Sequence, residues 1–205
     1  MRDARFPKFL VFINSLVPLS LLLWDAYWNH LGPNPVLFAI HTTGMLALIF
    51  LLLSLSVTPL RRITGQNFFS HFRRMLGLFA FFYGCVHLSL YFVFDRSLSI
   101  SSTIHDVIKR PFILFGMAAL LAMVPLAITS TNKMIKRLGA VRWKRLHRLV
   151  YFAAVAAVVH YYLLVKADTR IPVAFAATLA LLFGIRLIYS ASRSIRSRQP
   201  AGAGR

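Results

Sequence analysis

The segment Arg145–Val165 reads RLHRLVYFAAVAAVVHYYLLV, and it decides the fold class. It is an almost unbroken apolar run with one imidazole, His147, near its start and another, His160, deep inside it. A transmembrane helix needs about 20 mostly apolar residues. The segment therefore predicts a membrane span, and it raises the question of what a histidine does among alanine, valine and leucine.

The same apolar pattern recurs along the whole chain. Of its 205 residues, 58% are hydrophobic, and the mean hydropathy of +0.67 is typical of membrane proteins. The pattern predicts six spans: Phe9–Tyr27, Val36–Thr58, Met75–Phe94, Phe112–Thr129, Leu149–Val165 and Pro172–Ser190. We therefore expect an all-α integral membrane protein, a six-transmembrane-helix bundle over residues 9–190, with a short N-terminus (1–8) and a disordered tail (191–205).

The net charge of +19 is distributed unevenly among the termini and the loops between the spans. Of the 24 Lys and Arg residues, 18 lie before the first span, after the sixth, or in the loops after the second and fourth. This asymmetry follows the positive-inside rule and predicts that both termini are cytoplasmic. Arg186, near the end of the sixth span, is expected to snorkel to the same side. We expect this charge to contact anionic lipid rather than nucleic acid.

Several common kinds of active site are disfavoured by composition. Cys85 is the single cysteine, which excludes an intrachain disulfide and a thiolate metal cluster. The chain has no Glu, and its five Asp are scattered, which argues against paired-carboxylate chemistry. No glycine-rich nucleotide motif and no convincing internal repeat is found. The first apolar run is expected to remain as an uncleaved span.

The chain has seven histidines, and these are the remaining candidates for a functional site. Three of them lie in or beside predicted loops and are expected to be solvated: His30, His71 and His105. Four others lie inside or at the ends of spans, where ionisable groups are costly and therefore candidates for function: His41, His87, His147 and His160. A lone membrane histidine can also simply hydrogen-bond to a neighbouring helix.

His87 and His160 are expected at the same depth on different helices. At about 1.5 Å rise per residue, His87 lies about 10 Å and His160 about 8 Å from the outer ends of their spans. Two neutral imidazoles at one level can hold haem iron from both sides. A zinc or iron hydrolytic site would usually need a third ligand and an open position. With both axial positions filled, we expect one-electron transfer rather than oxygenation.

Two further histidines are weaker candidates. His147 precedes His160 by 13 residues, about 20 Å along a helix axis, a spacing that suggests a second haem near the cytoplasmic face. On a continuous helix the two side chains would point about 140° apart, which a π-bulge or a differently placed partner helix would correct. His41 lies about 8 Å from the outer surface and could ligate iron, contact a haem propionate or bind quinone.

Four longer stretches carry a family resemblance: IHTTGMLALIFLLLSLSVTPLRR, FRRMLGLFAFFYGCVHLSLYF, KRPFILFG and ITSTNKMIKRLGAVRWKRLHRLVYFAAVAAVVHYYLLVK. Four motifs occur together, and their combination is specific. TPLRR closes the second span, RRxLG opens the third, TST closes the fourth, and WxxLHxLVY leads to His160. Over nearly its whole length the chain resembles the MsrQ (formerly YedZ) family of the ferric-reductase-like transmembrane group.

The resemblance implies a b-type haem protein of the bacterial inner membrane, with FMN also assigned to the family. It implies electron transfer from the quinone pool, or from a cytosolic flavin reductase, to an MsrP-like periplasmic molybdenum-cofactor enzyme that reduces methionine sulfoxide. It makes His87 and His160 axial ligands of haem b, and His147 a candidate ligand of a second haem. Related oxidases carry a second histidine on the third helix, where this chain has Arg73 and Arg74, candidates for binding haem propionates or FMN phosphate.

Two other classes of protein stay open. One is a stand-alone cytochrome-type ferric or quinone reductase without a periplasmic enzyme partner. The other is a non-redox transporter or anchor subunit, for which Pro18 and Pro125 are the hints of interrupted helices. The predicted outer loops are short, so sulfoxide reduction is expected in a separate subunit.

Overall fold

The computed structural model describes residues 5–198, with side chains through Ser192, and this part of the chain is helices and short connections. The helices are α1 (Arg5–Tyr27), α2 (Pro35–Thr64), α3 (Arg73–Leu90), α4 (Ile100–Lys109), α5 (Pro111–Ile128), α6 (Asn132–Leu138), α7 (Ala140–Leu146), α8 (Leu149–Leu164) and α9 (Arg170–Arg198). A 3₁₀ turn, Asn67–His71, precedes α3, and a π-helical turn, Tyr91–Asp95, continues it.

Within residues 5–198, six helical segments are long and apolar enough to cross a membrane, and each matches a predicted span. Large apolar side chains remain more than half exposed along them, among them Trp24, Leu121 and Leu181. Such side chains would be unfavourable in water but are normal against hydrocarbon. The expected all-α six-span membrane fold is confirmed, whereas the side on which the termini lie remains a prediction.

The structure also contains helices that the apolar pattern did not predict. Three short ones, α4, α6 and α7, lie in the connections, and α9 continues to Arg198. Residues 191–198 are therefore helical where a disordered tail was expected. The other parts of the predicted termini, residues 1–4 and 199–205, lie outside the described residues.

Two helix pairs, α2 with α3 and α5 with α8, make the most extensive contacts in the bundle. Tyr83 of α3 is fully buried at the centre, where its ring stacks on Phe50 with centroids 5.3 Å apart. Its hydroxyl donates a 2.7 Å hydrogen bond to the Ser15 carbonyl of α1. On α8, Ala153 and Ala154 are fully buried, and such small residues let membrane helices approach closely.

Arg186 of α9 differs from its expected position. Its guanidinium does not snorkel to water: Nη2 donates to the Leu55 carbonyl of α2, and Cζ lies 5.2 Å from the centroid of the Tyr151 ring. Its Nε and Nη1 atoms are buried and have no hydrogen-bond partner among the described residues. The prediction of snorkelling is therefore wrong, because α2 and α8 offer this side chain a carbonyl and an aromatic face inside the bundle.

A buried carboxylate fastens α4 to the rest of the bundle. Asp106 accepts a 2.7 Å hydrogen bond from the Tyr91 hydroxyl and lies 3.0 Å from Nε of Arg96 and 3.3 Å from Nε of Arg110. The Tyr91 hydrogen bond, together with the charges of Arg96 and Arg110, holds the pKa of Asp106 below its ordinary value. The opposite face of α4 exposes three isoleucines, Ile100, Ile104 and Ile108.

Because the pKa of Asp106 is depressed in the folded state, its stabilisation is present above the unfolded pKa of about 3.9 and is lost as pH falls through the folded pKa. We expect the wild-type melting temperature in detergent to fall below about pH 5. Asp106→Asn should melt a few degrees lower at pH 7 and show a flatter acid limb. An equal loss in Asp168→Asn, whose carboxylate is exposed with Arg170 at 3.8 Å, would contradict this role.

Candidate functional site

His87 of α3 and His160 of α8 face each other between the two helix pairs. Their ring centroids lie 6.2 Å apart, and their planes are inclined by 80°. The structure thus brings together the two histidines that sequence depth placed at one level. The pair has no third metal-binding partner, since the described residues contain no cluster of three or more His, Cys, Asp or Glu.

Each imidazole is held by a backbone carbonyl of the neighbouring helix. His87 Nδ1 lies 2.8 Å from the Ile40 oxygen of α2, and His160 Nδ1 lies 2.5 Å from the Phe112 oxygen of α5. A carbonyl oxygen only accepts, so Nδ1 carries the proton and Nε2 keeps its lone pair in both neutral rings. Metal-binding histidines are commonly oriented by such a bond. The two rings can therefore bind a metal ion through their Nε2 atoms.

Each imidazole also lies directly against a glycine. A Cβ atom added to Gly44 of α2 would lie 2.9 Å from His87 Nδ1, and one added to Gly116 of α5 would lie 2.7 Å from His160 Nδ1. Sequence reasoning singled out neither glycine and found no internal repeat. In the structure, however, the two helix pairs repeat one contact, a histidine on one helix against a glycine on the next.

His41 is not part of this ring pair. It is exposed on α2, next in sequence to Ile40, and it lies within electrostatic range of His87. It lines a mostly apolar groove of about 540 Å³ together with residues that include Leu37, Phe38 and Met45. The three histidines expected in loops, His30, His71 and His105, are exposed as predicted.

His147 lies at a break between α7 and α8 rather than on one continuous helix. Its Nε2 is 3.1 Å from the Thr129 hydroxyl, and its ring stacks on Trp143 with centroids 3.8 Å apart. The helix is interrupted at His147 by this break and not by a π-bulge. Among the described residues, the π-helical turn follows His87, at Tyr91–Asp95.

A cavity of about 190 Å³, here called the basic cavity, opens beside His147. Its polar lining consists of hydrogen-bond donors and contains no acid: Ser54, Ser70, Arg73, Arg74, Ser130, Trp143 and His147. Its apolar lining includes Phe81, Met123 and Leu126. Such a lining suits a ligand with an apolar body and an anionic group.

Comparison with known proteins gives consistent matches. Residues 42–158 match the model of the ferric reductase like transmembrane component family. The chain is 42% identical over 197 residues to a protein-methionine-sulfoxide reductase heme-binding subunit MsrQ of Herminiimonas arsenicoxydans, covering 95% of this chain and 90% of that one. It is 45% identical over 197 residues to the MsrQ of Rhodospirillum rubrum, covering 96% and 95% of the two chains.

A third relative, the MsrQ of Xanthomonas campestris pv. campestris, is 45% identical over 179 residues, covering 84% of this chain and 81% of the relative. The first two of these relatives match nearly the whole chain. The chain therefore belongs to the ferric reductase-like transmembrane family and, within it, to the group of MsrQ heme-binding subunits.

Proposed function

We propose that this chain is the haem-binding electron-transfer subunit of a methionine sulfoxide reductase system in the bacterial inner membrane. It accepts electrons from the quinone pool, or from a flavin donor, and delivers them to a periplasmic molybdenum-cofactor enzyme that repairs oxidised proteins. The observation that carries the proposal is the pair of imidazoles, His87 and His160, held on separate helices with free Nε2 atoms.

The spacing of the two rings fits haem iron. A metal–imidazole nitrogen bond of about 2 Å and a distance of about 1.2 Å from nitrogen to ring centre require centroids about 6.4 Å apart on either side of one ion. The observed separation is 6.2 Å. The hydrogen bonds of both Nδ1 atoms to carbonyls leave the ligating tautomer in place. His87 and His160 would therefore hold one haem b as axial ligands.

The chain's own residues confine the chemistry of this site. A haem bound by two imidazoles supplies one-electron transfer and offers no open coordination position. The Ile40 and Phe112 carbonyls orient both rings, and the surrounding helices keep them part-buried, which disfavours the charged form. Sulfoxide reduction therefore belongs to a separate periplasmic subunit that docks on the outer side of the bundle.

The basic cavity is the candidate site for a second cofactor. Arg73, Arg74 and His147 suit the propionates of a second haem or the phosphate of FMN. Its volume of about 190 Å³ is, however, below the roughly 300–1,000 Å³ of typical cofactor pockets, so neither group fits it as it stands. With both termini cytoplasmic, the basic cavity lies on the inner side and the histidine pair nearer the outer side.

Removing either axial histidine should abolish binding of this haem. We expect His87→Ala and His160→Ala to insert into the membrane normally but to lose the reduced α and β bands of a low-spin b-type haem, because one axial ligand is missing. The measurement is a dithionite-reduced spectrum with a pyridine haemochrome assay on detergent-purified protein. His105→Ala, at an exposed position of α4, is the control, and normal haem content in both axial variants would refute the assignment.

The role of His147 can be read from haem stoichiometry. We expect His147→Ala to retain the haem of His87 and His160 unchanged, because His147 lies before the start of α8, and the part of α8 from Leu149 to His160 alone spans about 16 Å. A loss of one haem equivalent beside an intact low-spin signal would make His147 the ligand of a second haem. Loss of the whole low-spin signal would contradict the separation of the two sites.

The electron route can be tested with the full chain in liposomes. We expect a quinol to reduce the haem, and methionine sulfoxide to reoxidise it only when the periplasmic reductase is added outside. Rapid reoxidation by ferric citrate without that enzyme would favour a stand-alone ferric reductase instead. A preparation that stays colourless after haem supplementation would remove the electron-transfer function altogether.

A further inference from the structure

The two histidine contacts share a detail of helix geometry. In an α-helix the carbonyl of residue i bonds to the N–H of residue i+4, and side chains tilt toward the N-terminus. The side chain at i+4 therefore covers the carbonyl at i. Gly44 stands four residues after Ile40, and Gly116 stands four residues after Phe112. Each glycine leaves uncovered the very carbonyl oxygen that a histidine Nδ1 reaches.

We infer that Gly44 and Gly116 are positioning residues for the metal-binding imidazoles. They open the Ile40 and Phe112 carbonyls to His87 and His160, and so fix both the Nε2-free tautomers and the 80° angle between the two ring planes. This inference rests on the proposed haem function. It adds that the ligand geometry is set by two residues that contact the imidazoles from the neighbouring helices.

The contact is too close for a methyl group. An alanine Cβ at position 44 would lie 2.9 Å from Nδ1 and 3.0 Å from Cε1 of His87. At position 116 it would lie 2.7 Å from Nδ1, 2.9 Å from Cε1 and 3.1 Å from Cγ of His160. These atoms belong to rigid rings rather than to flexible chain ends. An alanine therefore displaces the imidazole and lengthens its bond to the carbonyl.

Other described helical glycines provide matched comparisons, because their surroundings lack histidine. At Gly84 of α3 a Cβ would meet only Cδ1 of Leu120, 3.0 Å away at the end of a flexible side chain. At Gly184 of α9 it would meet nothing within 4 Å. Gly84→Ala therefore tests tight helix packing without a ligand, and Gly184→Ala tests the substitution itself.

The experiment compares Gly44→Ala, Gly116→Ala, Gly84→Ala and Gly184→Ala in the full chain, first in isolated membranes and then in detergent. Electron paramagnetic resonance of the oxidised protein reports the angle between axial imidazole planes through the low-spin g-values. Titration of the haem-free protein with haem gives the affinity. Loss of an orienting outer contact typically weakens metal binding by about 10–100-fold.

We expect Gly44→Ala and Gly116→Ala each to shift or broaden the low-spin signal and to weaken haem binding by about tenfold or more. Gly84→Ala and Gly184→Ala should keep the wild-type signal and an affinity close to that of the wild type. The inference is overturned if both histidine-facing variants match Gly184→Ala, or if Gly84→Ala changes the signal equally. Loss of both histidine-facing variants from the membrane would also overturn it, since it would assign these glycines to helix packing.

The outcome separates this inference from the function on which it rests. If His87→Ala and His160→Ala keep normal haem, the haem assignment itself fails, whatever the glycine variants do. If the histidine variants lose haem but the two glycine variants behave like Gly184→Ala, only the positioning role fails.

Discussion

Two hydrogen bonds from imidazole nitrogens to backbone carbonyls organise the centre of this bundle. An ionisable side chain inside a membrane is costly unless it is neutral and paired. His87 meets this condition by donating to Ile40 of α2, and His160 by donating to Phe112 of α5. Each bond ties together one of the two closely packed helix pairs. The bonds leave both Nε2 atoms free, and the glycines beside the rings give them room.

The membrane itself explains why the spans were predictable. Hydrocarbon requires about 20 apolar residues per helix, so the six segments are visible in composition alone. The short helices α4, α6 and α7 were not predicted, because helices of seven to ten residues in basic or polar connections leave little apolar signal. The isoleucines of α4, spaced four residues apart, are the one sign of it that the sequence offered.

The sequence predicted only those features of the site that follow from the depth of a residue in the membrane. Helix rise placed His87 and His160 at one level, and the structure brings their rings together. The sequence did not predict the two glycines that contact these rings, because their role depends on which face of the neighbouring helix each histidine contacts. The break before α8 was also hidden, since LHRLV carries no proline or glycine to mark it.

The buried guanidinium of Arg186 has a consequence for biogenesis. An arginine within a lone transmembrane helix is costly unless its guanidinium finds a partner. The groups that receive it, the Leu55 carbonyl and the Tyr151 ring, come from α2 and α8, which are synthesised earlier. The arginine of the sixth span thus finds both of its partners on helices that precede it in the chain.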